Sequence, residues 1–403
     1  MVADASTRQG SAADAMDGVV PRQIVEPADA NELAATLLAA SRDRQITVLR
    51  GGGTKLGWGR TPSSIGLIVG TAKLSTLLVH RHGDMTATAH AGVTLAQLNH
   101  ELARHRQWLP VDTAFDQATI GGIVATNDSG PLRHRYGTPR DLLIGMTLAL
   151  TDGRIVKTGG TVVKNVAGYD LGKLMSGSFG TLGAIVDATF KLLPIPQASA
   201  TLDVAYDDGE VLARDVMQVS ASQLEPMAFD VRLEAGRYRL LTRFSSSPAA
   251  VQAQVESAQR MFSTRASVLT GDREYAIWDE QVRTPWSATG TVVRFSWLPA
   301  GLADVTTLMH DVQKLAGPVV MVGRVGTGAG LLRVDGDARS HVAVVERLRT
   351  STWVGNVSVL RADLEFKKHV DVWGPPASSH EAARALKQMF DPAGILNAGR
   401  GPV

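Results

Sequence analysis

The feature that most constrains this chain is a run of three glycines, Gly51-Gly52-Gly53, directly after the apolar alternation of residues 46–49. A short strand that runs into bare backbone is typical of a phosphate-binding loop, because no Cβ stands between the amide groups and an anion. An ordinary glycine-rich turn is the alternative interpretation, since a lone glycine cluster is a weak signal. The rest of the sequence has to decide between the two.

The loop does not match either of the two common nucleotide-binding patterns. A P-loop needs lysine after its last glycine, and Trp58 stands at that position. The dinucleotide fingerprint needs a third glycine that opens a helix, but Leu56 occupies that place and Gly57-Trp58-Gly59 disfavours a helix. A phosphate at this loop would therefore be held by a different fold.

Composition limits the class of protein. A chain of 403 residues with 44% apolar residues is long enough for two packed domains. A formal net charge of +2 gives no support to a nucleic-acid partner. The absence of cysteine excludes disulfides, thiolate zinc sites and iron–sulfur ligation within this chain.

The N-terminal region carries no targeting signal that we recognise. Residues 1–20 are rich in Ala, Ser and Asp and have no apolar segment, so we predict a disordered extension. No apolar run approaches the ~20 residues that span a bilayer. We expect a cytoplasmic protein, or one held at the inner face of the membrane through partner subunits.

The order of predicted elements indicates an α+β chain. Asp152-Gly153 marks a hairpin within residues 143–157, and Asp170 is a candidate helix N-cap. Residues 112–137 are polar and glycine-rich, and we expect an ordered but irregular segment there. After Pro196 two similar passes of strands and helices predict a split-βαβ, ferredoxin-like antiparallel domain.

Several motifs occur in an order that is specific for one family. They are Arg-Gly-Gly-Gly-Thr at 50–54, Ala-Gly-Val-Thr-Leu at 91–95, Leu-Pro-Val-Asp at 109–112, Ala-Thr-Ile-Gly-Gly at 118–122, Tyr-Gly at 136–137, the segment 164–171 and Gly-Thr-Leu-Gly at 180–183. This set resembles the FAD-binding domain of the vanillyl-alcohol oxidase/PCMH flavoprotein superfamily. The resemblance covers residues 20–196.

Other segments resemble the lactate and glycolate oxidase branch of that superfamily. Residues 390–400 resemble its closing motif, with Ala398 in place of the usual proline, and residues 164–183 resemble the FAD-binding second subunit of bacterial glycolate oxidases. The resemblance implies an FAD-binding domain with two subdomains at 21–197 and a cap domain at 198–362. Residues 363–403 would return to the FAD domain.

The resemblance also assigns the cofactor and the residues that hold it. We expect FAD at Arg50, Gly51, Gly52, Gly53, Thr54, Lys55, Leu56, Gly57, Asp112, Thr119, Gly121, Gly122, Thr126, Asp128, Ser129, Gly130, Gly183, Ile185 and Asn397. Some members attach the flavin through a histidine in the glycine loop. Residues 50–59 contain no histidine, so we predict non-covalent FAD.

Groups for oxidising a hydroxy acid are harder to find. Such chemistry needs a cation for the carboxylate and a base or metal for the hydroxyl proton. The glycine-rich segment 323–330 stands where catalytic relatives carry metal-binding histidines, and it has none. The candidate catalytic residues are Arg133, His134, Lys164 and Arg294, each with a structural alternative. His80 and His82 suit a metal, but a solvated strand face is the favoured interpretation, and no metal site is predicted.

Three functions remain open from the sequence. The first is the FAD-binding subunit of a glycolate-oxidase-like complex, whose flavin would relay electrons or hold the assembly together. A larger FAD-binding catalytic subunit would oxidise the 2-hydroxy acid, and an iron–sulfur subunit would take the electrons onward. The second is a self-sufficient FAD-dependent dehydrogenase for D-lactate, glycolate or another small 2-hydroxy acid. The third is a scaffold subunit without catalysis. None involves a nucleic acid.

Overall fold

The computed structural model describes residues 6–161, 170–376 and 378–401. The chain divides into two compact units, and the division does not follow chain order. The first unit contains residues 1–129, 137–195 and 375–403, and the second contains 130–136 and 196–374. The second unit thus continues to residue 374 rather than 362, because Phe366, Val370 and Val372 pack into its core.

The first unit begins with a small mixed sheet. Strand β2 lies antiparallel to β1 and parallel to β4, which is parallel to β3. Helix α1 connects β2 to β3, and the Asp29 side chain caps it by accepting from the amides of Asn31 and Glu32. The bounds are β1 Ser6–Gln9, β2 Gln23–Glu26, α1 Ala30–Arg42, β3 Thr47–Arg50 and β4 Leu67–Gly70.

The predicted disorder of residues 1–20 is wrong for the part that the structure describes. Ser6–Gln9 pairs along its whole length with Gln23–Glu26. The buried carboxylate of Asp14 then accepts from Arg8 and lies 3.0 Å from Arg50. The composition is polar because this strand is an exposed sheet edge, and an edge is held by backbone hydrogen bonds rather than by apolar burial.

The second sheet of this unit is antiparallel, with the order β5-β6-β10-β8-β9. The predicted hairpin is confirmed, since β8 and β9 flank the turn at Asp152-Gly153. The bounds are β5 Leu77–Arg81, β6 Thr86–His90, α2 Leu95–Ala103, β7 Gln107–Trp108, α3 Ile120–Thr126, α4 Arg133–Tyr136, α5 Pro139–Leu142, β8 Leu143–Ala149, β9 Ile155–Gly159, α6 Leu171–Met175, β10 Ala184–Lys191 and β11 Leu193–Pro194, of which α4 belongs to the second unit.

The prediction that residues 112–137 are irregular is wrong for part of this segment, because residues 120–126 form a helix. Helix α3 forms because Thr119 caps its first turn and Ile120, Ile123 and Val124 bury one face. The helix is short, and Asn127 ends it in a left-handed conformation with a φ of 48°. Gly121 and Gly122 lie inside this helix between Ile120 and Ile123, and glycine disfavours a helix interior, so the sequence did not predict a helix here.

The second unit contains two ferredoxin-like halves. Each half runs β-α-β-β-α-β, and the halves join through β13 and β17 into one antiparallel sheet of order β15-β12-β14-β13-β17-β18-β16-β19. The bounds are β12 Ala198–Tyr206, α7 Gly209–Ser220, β13 Ala228–Glu234, β14 Arg237–Ser246, α8 Pro248–Gln259, β15 Ser267–Leu269, α9 Gly271–Arg283, β16 Thr291–Trp297, α10 Leu302–Ala316, β17 Val319–Arg324, β18 Ala329–Val334, α11 Ala338–Thr350, β19 Val354–Arg361 and α12 Leu364–His369.

The two faces of this sheet are covered differently. On one face, residues such as Phe229, Val231 and Phe295 pack against helices α7, α8, α10 and α11 and form the main core with them. On the opposite face Ile277 and Trp278 of α9 pack against Ala228 and Leu241. The predicted antiparallel split-βαβ architecture is confirmed, and it is present twice.

The chain then returns to the first unit through its last helix. Helix α13 spans His380–Phe390, and the following residues pair with the start of β3 through the Thr47–Leu396 bridge. Among the helices that the structure describes, none is long and apolar enough to cross a membrane.

The short helix α4 docks on the second unit through His134. Its imidazole lies 5.9 Å from the ring of Phe229, centroid to centroid, and occupies the space beside Gly326. A Cβ at Gly326 would lie 2.3 Å from His134 Cε1. Gly326 lies in the turn between β17 and β18. A residue without a side chain is needed there because the His134 ring, from a distant part of the sequence, fills the adjacent space.

Gly326→Ala should lower the free energy of unfolding by about 1–3 kcal/mol, because the added methyl group overpacks the histidine ring. Denaturant titration followed by circular dichroism measures the loss. Adding His134→Ala should restore most of it. Gly355→Ala is the matched control, since its Cβ would approach no atom closer than 3.8 Å. An equal loss in the single and double variants would contradict this packing.

Candidate FAD site

The first unit contains a cavity of about 830 Å³, measured out to its open mouth. Four segments form most of the wall: the glycine loop with the end of β3 at residues 49–56, residues 118–126 with helix α3, residues 179–185, and the C-terminal residues Asn397 and Arg400; Thr71 and Ala91 complete it. These segments meet because β3 ends and β10 begins at the cavity, and the C-terminal segment pairs beside β3.

A different structural constraint favours glycine at each of the three loop positions, 51, 52 and 53. A Cβ on Gly52 would lie 1.7 Å from the carbonyl oxygen of Gln117, and one on Gly51 would lie 2.2 Å from Thr119 Oγ1. Gly53 has a φ of 75°, a conformation that side chains disfavour. The loop is glycine-rich because it packs tightly on the segment that leads into α3, and all three glycines line the cavity.

Positive charge dominates the wall. Arg50, Lys55 and Arg400 line the cavity, and no carboxylate is among the described residues that do so. Lys55 Nζ lies 2.8 Å from Asp128 Oδ2, behind the wall, and 5.6 Å from the ring centroid of Trp58. Bare amides and cations suit a diphosphate, and the apolar wall residues suit a flat ring system. The residues present therefore fit FAD.

The Asp14 carboxylate connects the N-terminal strand to the glycine loop. It accepts two hydrogen bonds from Arg8 at 2.6 and 2.7 Å and one from Arg50 at 3.0 Å. The Arg8 guanidinium, together with Ser11 and Arg50, holds the pKa of Asp14 far below its ordinary value, although burial acts in the opposite direction. Arg50 is thereby fixed at the cavity wall.

Asp14→Asn should reduce the acid sensitivity of the fold. A carboxylate whose pKa is lowered by folding stabilises the protein above its unfolded pKa of ~4, and this contribution is lost as the pH falls further. Thermal unfolding from pH 7 to pH 3 should show a smaller fall in midpoint for Asp14→Asn than for the wild type. Asp43→Asn, at an exposed position of the same unit, is the control and should follow the wild type.

Most of the predicted cofactor-binding residues lie in the cavity wall. They are residues 50–56, Thr119, Gly121, Gly122, Thr126, Gly183, Ile185 and Asn397. Gly57, Asp112, Asp128, Ser129 and Gly130 are not among the wall residues. The chain turns away after α3 at Asn127, so the segment 128–130 leaves the cavity, and Gly130 belongs to the second unit.

Sequence reasoning missed several wall residues. They are Leu49, Thr71, Ala91, Ala118, Ala125, Phe179, Gly180, Ala184 and Arg400. Ala91, Ala118, Gly180 and Arg400 belong to motifs that carried the resemblance, so the motifs themselves were a usable signal. No sequence motif indicated Thr71, because this residue reaches the cavity wall only through the turn after β4.

Two of the candidate catalytic residues, Arg133 and His134, lie on α4. Arg294 is half-buried on β16, and its neighbours Val293 and Phe295 belong to the main core. Burial, reinforced by the charge of Arg135, lowers the pKa of His134, so its imidazole is neutral at pH 7. Lys164 lies outside the described residues.

Three histidines gather on the surface of the first unit. The rings of His82 and His105 stack with centroids 4.4 Å apart, and His80 lies 5.1 Å from His105. Parallel rings cannot direct their lone pairs at one point, and no described group of three suitable side chains is arranged to hold a metal. His80 instead hydrogen-bonds to Gln107.

Comparisons with known proteins agree with this site. Residues 21–159 match the family described as FAD binding domain. Relatives include a D-lactate dehydrogenase of Archaeoglobus fulgidus, 35% identical over 51% of this chain and 46% of its own length, so the match spans less than half of that protein. The glycolate oxidase subunit GlcD of Bacillus subtilis is 27% identical over 94% of this chain and 89% of its own.

Two further similarities concern the subunit type and the fold. The glycolate oxidase subunit GlcE of Escherichia coli is 27% identical over 79% of this chain and 82% of its own. A solved alkyldihydroxyacetonephosphate synthase has the same fold, with a TM-score of 0.72 and 16% identity over 94% of this chain and 76% of its own. Residues 21–159 therefore correspond to an FAD-binding domain, and the chain as a whole is similar to FAD-linked oxidoreductases.

Proposed function

We propose that this chain is the FAD-binding second subunit of a glycolate-oxidase-like complex. The complex oxidises a small 2-hydroxy acid to the 2-oxo acid, with a larger flavoprotein and an iron–sulfur protein as partners. Two relatives are named as subunits of glycolate oxidase, which supports an assembly of this kind. The location, cytoplasmic or at the inner membrane face through those partners, stays a prediction.

The second-subunit role is supported by the contacts that residues of the β17–β18 hairpin make within the same unit. Arg324 Nε lies 3.8 Å from the buried Asp230 carboxylate, and Gln281 donates to the same oxygen at 3.2 Å. The His134 ring packs against Gly326 in the turn. Arg324 and Gly326 of this hairpin thus already contact Asp230 and His134 of the same chain. This suits a cap domain that does not bind substrate.

The chain's own residues would hold the cofactor and exclude water. The amides of residues 51–54 would donate to the diphosphate, and Arg50 and Lys55 would offset its charge. Leu49, Ala118 and Ile185 would cover the apolar part of the cofactor. The chemistry that FAD supplies is acceptance of two electrons and their release one at a time.

A self-sufficient dehydrogenase is the second candidate. It is favoured by the similarity to the D-lactate dehydrogenase of Archaeoglobus fulgidus, which is not named as a subunit. In that case Arg294, a half-buried cation on the sheet face opposite the main core, would be the group for the substrate carboxylate. A scaffold without FAD is disfavoured by the complete cavity wall.

Anaerobic mixing with glycolate or D-lactate tests the proposal. The flavin of the isolated chain should stay oxidised, whereas the flavins of a complex purified through a tag on this chain should bleach. That purification should also yield a larger flavoprotein and an iron–sulfur protein. Rapid bleaching of the isolated chain would overturn the relay role and establish the second candidate.

The flavin should be released completely when the protein is denatured. Among the described wall residues none is His, Cys or Tyr, the side chains that form bonds to flavins. After precipitation with acid, all of the yellow colour should remain in the supernatant. Flavin fluorescence in the washed pellet, measured on a denaturing gel, would contradict non-covalent binding.

A further inference from the structure

Phe179 differs from the other wall residues of the FAD cavity in both its side chain and its backbone. Among the described residues that line the cavity it is the only aromatic one, and it is half-buried, so part of its surface stays exposed. Its φ is 55°, in the left-handed region that residues with a Cβ disfavour. A bulky residue held in this conformation points to a functional constraint.

The backbone of Phe179 is held on both sides by other segments of the wall. Its amide donates to the carbonyl of Ala125 at 2.8 Å, and its carbonyl accepts from Asn397 Nδ2 at 2.6 Å. Ala125 and Asn397 both line the cavity. Gly180 follows with a φ of 68°, so two successive residues are left-handed. The two hydrogen bonds therefore fix the point at which the Phe179 side chain leaves the backbone.

The Phe179 ring rests on a buried tryptophan that lies outside the wall. Its centroid is 6.5 Å from that of Trp58, with the two planes at 44°. Trp58 is 4% exposed and is not among the wall residues. Trp58 thus supports the ring, and the part of Phe179 that lines the cavity is the part that a ligand would meet.

FAD carries two flat aromatic ring systems, the flavin and the adenine. Aromatic side chains stack on such rings, and stacking adds to affinity beyond the burial of apolar surface. The left-handed backbone of Phe179 costs free energy that glycine would not incur, so a side chain at this position needs a compensating interaction. Packing on Trp58 supplies one part of it, and a cofactor ring would supply the other.

We propose that Phe179 binds a flat ring of the cofactor by stacking. The inference deepens the proposed function, because it rests on FAD occupying this cavity. It is independent of whether the flavin relays electrons or meets a substrate, so bleaching of the isolated chain by a hydroxy acid would leave it intact. The ring is that of the flavin or that of the adenine, and ligands that contain only one of them distinguish the two.

The test makes the same substitution at two phenylalanines that contact Trp58. Phe179→Leu removes the flat ring but keeps an apolar side chain, and Phe115→Leu does the same at a half-buried residue that is not among the wall residues. Fluorescence titrations of the apoprotein give the affinity for FAD and riboflavin, and calorimetry gives that for ADP. Phe179→Leu should weaken FAD about three- to tenfold, and Phe179→Tyr should recover the loss. Phe115→Leu should bind FAD like the wild type.

Riboflavin and ADP identify the ring. A loss for riboflavin but not for ADP assigns Phe179 to the flavin, and the reverse assigns it to the adenine. Unchanged FAD affinity in Phe179→Leu would overturn the proposal, as would an equal loss in Phe115→Leu. A loss shared equally by riboflavin and ADP would also overturn it, because it would indicate a change in the shape of the whole cavity. A wild-type chain that binds no FAD would instead refute the cofactor assignment.

Discussion

Gly52→Ala is expected to yield a folded chain that purifies without flavin. The new Cβ would lie 1.7 Å from the carbonyl oxygen of Gln117, and a backbone atom in the segment leading into α3 cannot move aside cheaply. The loop must therefore shift away from Thr119 and the cavity. We expect a loss of FAD affinity of at least a hundredfold, about 2.7 kcal/mol, measured by fluorescence titration of the apoprotein.

Gly57→Ala provides the control within the same loop. Its Cβ would meet nothing closer than Asp17 Oδ1 at 4.0 Å, so the substitution adds a methyl group without a collision. This variant should keep the flavin content of the wild type. If Gly52→Ala also purified with a full complement of flavin, the close approach of the loop to Gln117 would not control FAD binding.

Asp391→Ala should destabilise the protein by about 3–5 kcal/mol, the cost usual for removing one partner of a buried ion pair. Asp391 is 1% exposed and accepts from Lys387 Nζ at 2.5 Å and from the amides of Ile395 and Leu396. Lys387 also donates to the carbonyl of Thr181 at 2.8 Å. The substitution leaves a largely buried ammonium group without its counter-charge and two backbone amides without their acceptor, and urea unfolding measures the loss.

Two comparisons identify the cause of that loss. Glu101→Ala removes a surface carboxylate that forms an ion pair with the exposed Arg104 side chain at 2.9 Å, so it should cost less than ~1 kcal/mol. Lys387→Met combined with Asp391→Leu removes both charges and should be less harmful than Asp391→Ala alone. A double variant that is less stable than the single one would show that the hydrogen bonds to the loop amides matter more than the charge.

Much of the first unit could be predicted because its signals are local. Asp170 predicted a helix start and Asp152-Gly153 predicted a hairpin, since caps and tight turns depend on a few neighbouring residues. The repeated pattern after Pro196 predicted the class of the second unit for the same reason. The joining of its two halves through β13 and β17 depends on contacts between distant strands and was not predicted.

The predictions that were wrong concern segments held by contacts with residues that are distant in the sequence. Polar residues 6–14 were taken as disordered, but the strand they form is held by pairing with residues 23–26 and by the Arg8–Asp14–Arg50 cluster. Residues 130–136 were assigned to the first domain, yet α4 packs on the second through His134. Neither partner is close in sequence, so no local pattern could identify it.

The sequence by itself determined that a strand runs into a glycine loop and that ordered motifs around it belong to an FAD-binding domain. Only the tertiary structure decided what each loop glycine is for and which cations share the cavity. Gly51 and Gly52 are set by Thr119 and Gln117, and the loop's far end is held by Arg400. The reason is physical: a motif records which residue types fit, but a collision or a buried charge exists only once distant segments meet.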